Sequence, residues 1–339
     1  MKTKLIFVLF FTISVCWLTN CKKKTETKPA PVVDFSYTGN NSAPGIVSFT
    51  NLTQNATSYS WDFGDGSTAT EVSPSHTYIN SGSYTVKLTA NGEGGNNVAT
   101  KTLTVSAYKI KTSTYYSNGQ NYGTDTYTYN SDGTLSKITF SDGSYCSLTW
   151  ATTQVTVTGY TVANAVDGSD VYSLNSVGLA VSSTSTYINK KNKSHIAKLF
   201  SKSINSTSTS TYEYDANNYK IKETALYSDN SSSVSNYTIS NGNVATSLET
   251  STYGSTTDNY STSNDYFSDK ANTIDYENMG VKFFGKQNRN IVKTQTQTYN
   301  SGSPSITMYN YEFDAKNRVT KQTAAYGTNV DYTVYTYND

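Results

Sequence analysis

Six residues, Trp61-Asp62-Phe63-Gly64-Asp65-Gly66, restrict what this chain can fold into more than any other stretch. Trp61 and Phe63 are two apart and share one face of a strand, with Asp62 on the other. Gly64-Asp65-Gly66 follows at once, and Asp-Gly is a strong short-range turn signal. The stretch reads as a strand anchored by two large rings that runs straight into a tight turn. Ser73-Pro74-Ser75-His76-Thr77-Tyr78 is a second turn leading to an aromatic residue. After Gly82, the residues Tyr84, Val86, Leu88 and Ala90 alternate with small or polar ones, the pattern of a half-buried strand. Val47 with Phe49 and Leu103 with Val105 alternate likewise, and Gly92-Glu93-Gly94-Gly95-Asn96-Asn97 marks a hairpin loop between the last two strands.

Together, Trp61 to Gly66, Pro74 to Tyr78 and Gly82 to Leu88 resemble the PKD domain, a small Ig-like β-sandwich. The resemblance covers residues 31–107 and implies a spacer or binding module on an exported protein. Within it Trp61, Asp62, Phe63, Gly64, Asp65, Gly66, His76 and Tyr78 are structural motif residues. Asp62 and Asp65 carry oxygen that a hard cation could use. Carboxylates bonding the backbone of their own turn are the better reading, so no metal is expected.

The first 20 residues read as a targeting segment: Lys2 and Lys4, then an apolar run from Leu5 to Leu18, too short to span a bilayer comfortably. Leu18-Thr19-Asn20-Cys21 resembles a bacterial lipobox, which implies cleavage before Cys21 and acylation of that residue. Residues 22–30 then form a short polar tether, and the N-terminal lipid makes the membrane the first partner. Cys16 leaves with the signal, so of 3 cysteines Cys146 alone remains, without a disulfide partner and, in Ser144-Tyr145-Cys146-Ser147-Leu148, expected to pack as a small apolar residue.

Residues 108–339 change texture. The whole chain has 30 tyrosines against a net charge of +1, a balance that gives no reason to expect nucleic acid. Tyr127-Thr128-Tyr129-Asn130-Ser131-Asp132-Gly133, Tyr212-Glu213-Tyr214-Asp215-Ala216-Asn217-Asn218 and Tyr311-Glu312-Phe313-Asp314-Ala315-Lys316-Asn317 are three copies of one unit. Weaker echoes start at Tyr172, Tyr237 and Tyr335. Two aromatics share a face, an Asp or Asn opens a turn with its own side chain, and Gly or Asn supplies positive φ. A second strand follows, at Leu135 to Phe140, Lys220 to Tyr227 and Arg318 to Tyr326. The unit resembles the YD repeat of RHS-type proteins, and the domain is similar to Tyr-rich regions behind the lipobox of Bacteroidetes-type lipoproteins. Repeat spacing is irregular and the copies are few for a closed RHS shell. The expectation is one curved antiparallel sheet of hairpins, open or closing partly on itself, with edge strands that could accept a partner strand.

The densest apolar cluster of this half, Tyr276 to Lys286, interrupts the pattern and is expected to plug or cap the sheet. Phe283, Phe284 and Arg289 within and beside it are the candidate interaction residues, with core packing the better reading. The Lys190-Lys191-Asn192-Lys193 run reads as a solvated loop.

Catalytic signatures are absent from the sequence: no His-Glu-x-x-His, Gly-x-Ser-x-Gly, P-loop or Gly-x-Gly-x-x-Gly. The 2 histidines, His76 and His195, fall in different domains. Carboxylate pairs such as Asp265 with Asp269, or Asp275 with Glu277, are unspecific in a chain with 25 acids. The chain therefore reads as all-β: an N-terminal Ig-like (PKD) β-sandwich, then an antiparallel β-hairpin meander sheet. The expected role is a non-enzymatic, lipid-anchored protein of the outer membrane, without cofactor, offering a surface to a protein or carbohydrate ligand. The competing expectation is an accessory or catalytic component of polysaccharide degradation.

Overall fold

The computed structural model describes residues 28–338 apart from 40, 41, 44, 79, 80, 188–206 and 277. The signal segment, Cys21, the Lys190-Lys193 run, His195 and Glu277 lie outside the described residues. No helix occurs among those described.

The N-terminal domain holds β1 (Phe35–Gly39), β2 (Ser42–Ala43), β3 (Gly45–Asn51), β4 (Ser58–Asp62), β5 (Thr68–Ala69), β6 (Ser75–Tyr78), β7 (Gly82–Gly92) and β8 (Gly95–Ala107). They form two sheets, β1-β3-β6 and β2-β8-β7-β4-β5, that close over a shared core. Trp61 and Phe63 both point into it, as their two-residue spacing requires, beside Phe35, Val47, Phe49, Val86, Leu88, Leu103 and Val105. The hairpin between β7 and β8 is tighter than its glycine-rich sequence implies. Gly92 pairs Gly95, which leaves only Glu93 and Gly94 in the turn.

The described strands that follow form one sheet: β9 (Lys109–Ser117), β10 (Gln120–Tyr129), β11 (Leu135–Thr139), β12 (Tyr145–Ala151), β13 (Gln154–Tyr160), β14 (Val166–Leu174), β15 (Ala180–Tyr187) and β16 (Thr207–Tyr214). It continues through β17 (Lys220–Tyr227), β18 (Ser232–Ser240), β19 (Asn243–Tyr253), β20 (Thr256–Ala271), β21 (Asn290–Tyr299), β22 (Ser305–Phe313), β23 (Val319–Tyr326) and β24 (Asn329–Asn338). Each strand pairs antiparallel with the next, and β24 returns to pair β9, from Asp331 opposite Ser117 to Asn338 opposite Lys109. The hairpin sheet is thus a closed up-and-down barrel. Closure corrects the expectation of available edge strands: every strand has a neighbour on both sides, so no backbone edge is offered for strand addition.

The Tyr-Asp units explain how the barrel is built. Asp215 Oδ1 accepts the backbone NH of Asn217 and of Tyr219, each at 2.9 Å. Asp314 Oδ1 accepts those of Lys316 and Arg318 at the same distance. Asn218 and Asn317 take φ of 68° and 58° at the end of these turns, where Gly133 and Gly178 take 79° and 85°. Both aromatics of each unit face inward, and hydroxyls explain why all but Phe313 are Tyr. Tyr337 donates to the Val319 carbonyl at 2.8 Å, Tyr311 to that of Val292 at 2.8 Å, and Tyr129 to that of Ile110. A phenol can be buried only when its hydroxyl finds such a partner.

All of these turns gather at one end of the barrel, and residues 272–289, between β20 and β21, lie across it. Ile110 donates its NH to the Asn278 carbonyl, Leu135 to that of Gly280 and Ala180 to that of Phe283, at 3.1, 3.1 and 2.8 Å. Further round, Asn288 Oδ1 takes the NH of Val244 at 2.8 Å and Thr273 Oγ1 that of Val319 at 2.9 Å. The segment therefore bonds strand starts right around the rim. Gly280, at φ 76°, is required there: a Cβ would sit 2.7 Å from the Leu135 nitrogen and 2.8 Å from the Gly133 oxygen.

Candidate functional site

The PKD motif residues are occupied with structure. Asp62 Oδ1 accepts the Gly64 NH and Asp65 Oδ1 the Ser67 NH, both at 3.0 Å. The second oxygen of Asp65 meets His76 Nε2 at 2.8 Å. His76 in turn stacks on Phe63, with centroids 4.2 Å apart and planes within 2°, and Tyr78 donates to the Phe63 carbonyl at 3.0 Å. Burial pushes the Asp65 carboxyl up, but the bonds from His76 and Ser67 outweigh it and hold it below the usual range. Among the described residues no group of three or more His, Cys, Asp or Glu is placed to hold a metal.

Phe283 and Phe284 pack in the core, the better of their two readings, and not on an interaction surface, which corrects their place among the candidate interaction residues. They are 0% and 8% exposed and lie inside the barrel among Trp150, Tyr172, Tyr212 and Tyr276. An apolar run in a barrel otherwise poor in aliphatic residues is the material its core is made of, so burial claims it. Arg289 is exposed, and its backbone NH is bonded to the Gly242 carbonyl at 2.9 Å, on the plugged rim. Cys146 is fully buried between Ile138 and Gly159, and desolvation pushes its thiol up to about 12.

Among the described residues, the ring surface left uncovered is at the other end. Register shows which side chains line it. Buried Tyr212 stands opposite Glu223, Glu223 opposite Ser235, Ser235 opposite Glu249, Glu249 opposite Tyr260, and Tyr260 opposite Tyr299. This inward row climbs out of the core to the mouth near the turns after β19 and β21. There Glu249, Ser251, Tyr253, Asp258, Tyr260 and Tyr299 enclose a recess. Its rings are uncovered: Tyr253, Tyr260 and Tyr299 are 54%, 38% and 55% exposed. Asn300 Nδ2 donates to Asp258 Oδ1 at 3.0 Å, and the Tyr299 hydroxyl bonds the same carboxylate. Those two donors, Asn300 first, hold the Asp258 carboxyl below its ordinary range.

A second cluster of the same kind lies on the same rim, across β23, β24, β9 and β10. Asp331 Oδ2 accepts the hydroxyls of Tyr326 and Tyr115 at 2.6 and 2.8 Å, and Tyr115 packs on Tyr122 with centroids 5.9 Å apart. Sequence reasoning missed both clusters. Their signal was faint: tyrosines within five residues of a turn and in phase with a nearby carboxylate.

The outward face is different again. Alternate positions present Thr112 and Thr114 on β9, Thr207, Thr209 and Thr211 on β16, and Thr294, Thr296 and Thr298 on β21. Cross-strand hydroxyl pairs form, Thr112 with Thr336 at 2.7 Å and Thr114 with Thr124 at 2.8 Å. Exposed Leu226, Leu248, Ile306 and Met308 interrupt this surface without forming a belt. A barrel that crosses a bilayer shows an outward apolar band flanked by aromatic girdles, and this wall is hydroxylated instead.

Comparison with known proteins bears mainly on the first domain. Two porin-like proteins, from Bacteroides vulgatus and Bacteroides uniformis, are similar over 68% and 69% of this chain and 99% of theirs. Their TM-scores are 0.49 and 0.47, at 12% and 18% identity. The collagenase ColA of Bacillus cereus is 53% identical over 38 residues, which is 11% of this chain and 4% of that protein. The PKD1 domain of the Vibrio cholerae metalloprotease PrtV is 34% identical over 23% of this chain and 98% of its own, with a TM-score of 0.21. The PKD domain family model matches residues 28–107. With the Trp61 to Gly66 turn and the two-sheet sandwich in place, residues 28–107 of this chain are a PKD domain.

Proposed function

We propose that this chain is a non-enzymatic binding lipoprotein of a bacterial cell envelope. Cys21 carries the lipid, the PKD domain is the spacer, and the mouth of the barrel opposite the plug takes a protein or glycan ligand. One observation carries the reading: the barrel is sealed at one end by residues 272–289 and at the other exposes tyrosine rings beside carboxylates. Aromatic rings of this kind stack on the apolar faces of sugars and dominate protein interfaces. The hydroxylated outer wall supports a barrel held in water, on a tether, over one set in hydrocarbon. The test has two parts, both on the full chain. Cells fed radiolabelled palmitate should label the wild type and leave Cys21→Ser unlabelled and released from the membrane fraction. The detergent-solubilised protein should then retain ligands on a glycan array or from an envelope cross-linking screen, and lose them when Tyr299 is changed to Ala. Labelling that survives Cys21→Ser, or retention indifferent to Tyr299, would overturn the respective half.

A further inference from the structure

The recess at the mouth has a chemistry of its own. Its polar lining is Glu249, Asp258 and Ser251, with Asp331 further round the same rim, and among the described residues neither the recess nor the Asp331 cluster contains a Lys or Arg. Asp258 is fixed by donors on its own rim, so its charge is set in place before any ligand arrives. Three ring faces on neighbouring strands, β19, β20 and β21, stand beside it. Rings and carboxylates favour the same kind of guest, because a cation is attracted both by carboxylate charge and by the face of an aromatic ring. The guest is also narrowed by what the barrel lacks. Each strand is paired on both sides, so an extended peptide finds no backbone ladder to join. Binding must be through side chains alone, and flat rings with hydroxyl and carboxylate acceptors are what a sugar ring uses.

We propose that the mouth recess binds a cationic glycan, a chain of amino sugars with free amines. Its pyranose rings lie on Tyr253, Tyr260 and Tyr299 and an ammonium sits against Asp258 and Glu249. The Asp331 cluster, separated from β21 only by β22 on the same rim, takes a further sugar of the same chain. The inference rests on the reading that the mouth is the binding surface and adds the ligand's class to it.

The experiment is calorimetric titration of the purified full chain with three tetrasaccharides: fully deacetylated glucosamine tetramer, its N-acetylated form and neutral cellotetraose. The free-amine tetramer should bind at least tenfold more tightly than either of the others. That preference should shrink as salt rises, because the charges at this open rim are screened. Asp258→Asn should abolish the preference, and Tyr299→Ala should weaken the free-amine tetramer at least fivefold. Tyr299 is exposed, so its loss leaves the core intact, and thermal melting of each variant verifies this. Equal binding of the acetylated and free-amine tetramers, lost in Tyr299→Ala, would sink the cationic class and leave the mouth as a neutral-glycan site. Tighter binding of a tetralysine control than of the glucosamine tetramer would also overturn the proposal, in favour of a basic peptide. Binding of all probes unaffected by Asp258→Asn and Tyr299→Ala would overturn the mouth reading as well.

Discussion

Asp314 Oδ2 holds Arg318 Nε at 2.6 Å, and the guanidinium it holds lies between two rings, 5.0 Å from the Tyr108 centroid and 4.7 Å from that of Tyr337. This one arrangement joins a Tyr-Asp turn, the last strand and the first residue after the PKD domain. Burial pushes the Asp314 carboxyl up, but the backbone NH and guanidinium of Arg318 more than offset it, so its pKa is lowered in the fold. A lowered carboxylate pKa contributes stability above the unfolded value of about 4 and loses it as pH falls through the folded value. Arg318→Met should cost about 1–2 kcal/mol, since it leaves a part-buried carboxylate with only its backbone donors. The difference from wild type should narrow below about pH 4. Chemical denaturation at pH 7 and pH 3 reads both; a constant difference would exclude the ion pair as its source.

Removing Phe283 should loosen the sealed end. The ring is fully buried, 5.6 Å from Trp150 and 4.7 Å from Tyr172. Phe283→Ala should cost about 3–5 kcal/mol through lost burial and the cavity left behind. Trp150, whose Nε1 donates to the Leu135 carbonyl at 2.8 Å, should then emit at longer wavelength as water reaches it. An unchanged melting temperature and emission would show that the segment is not part of the core.

Asp167 is an anomaly with a direction. It sits at the bulge opposite Gly159 and Tyr160, is 8% exposed, and its Oδ1 accepts no hydrogen bond. Burial alone raises its carboxyl pKa. A raised acid favours the protonated fold, so it weakens the folded state as pH rises through and beyond the unfolded value. Asp167→Asn should therefore stabilise the barrel by about 1 kcal/mol at pH 7. The gain should vanish once the pH is well below the unfolded value of about 4, and a gain that persists there would show that charge is not its source.

Cys146 should be inert in the fold. Its thiol is buried and pushed up to about 12, and the thiolate is the reactive form. Iodoacetamide at pH 8 should leave it unmodified for hours in native protein and alkylate it at once in denaturant, as mass spectrometry would read. Rapid native labelling would mean that strands β11 to β13 open.

Much of this architecture was legible where its cause is local. The Trp61 to Gly66 turn and the alternation at Tyr84 to Ala90 gave the sandwich. The Asp215 and Asp314 turns gave the hairpins, because a carboxylate two and four residues from the NH groups it accepts is a property of sequence alone. The cluster at Phe283 gave the plug. Closure was hidden because its cause is distant: Thr112 meets Thr336 across 224 positions, and neither strand carries a local mark of its partner. The role of tyrosine was hidden for the same reason. Whether Tyr337 is core or surface depends on the Val319 carbonyl lying within reach of its hydroxyl, while Tyr299, of the same residue type, stays uncovered at the opposite end.

The pinning of Tyr108 has a mechanical consequence. Its carbonyl accepts Asn278 Nδ2 at 3.0 Å, and β9 begins at the next residue, held between β10 and β24. A pull arriving through the PKD domain therefore acts along β9. Ladder bonds run perpendicular to their strands, so such a load falls in shear on both ladders together instead of unzipping them one bond at a time. The PKD domain joins the barrel at the sealed end, and the mouth lies a strand length of about 30 Å beyond it. A ligand tugging at the mouth would load the barrel in its strongest direction.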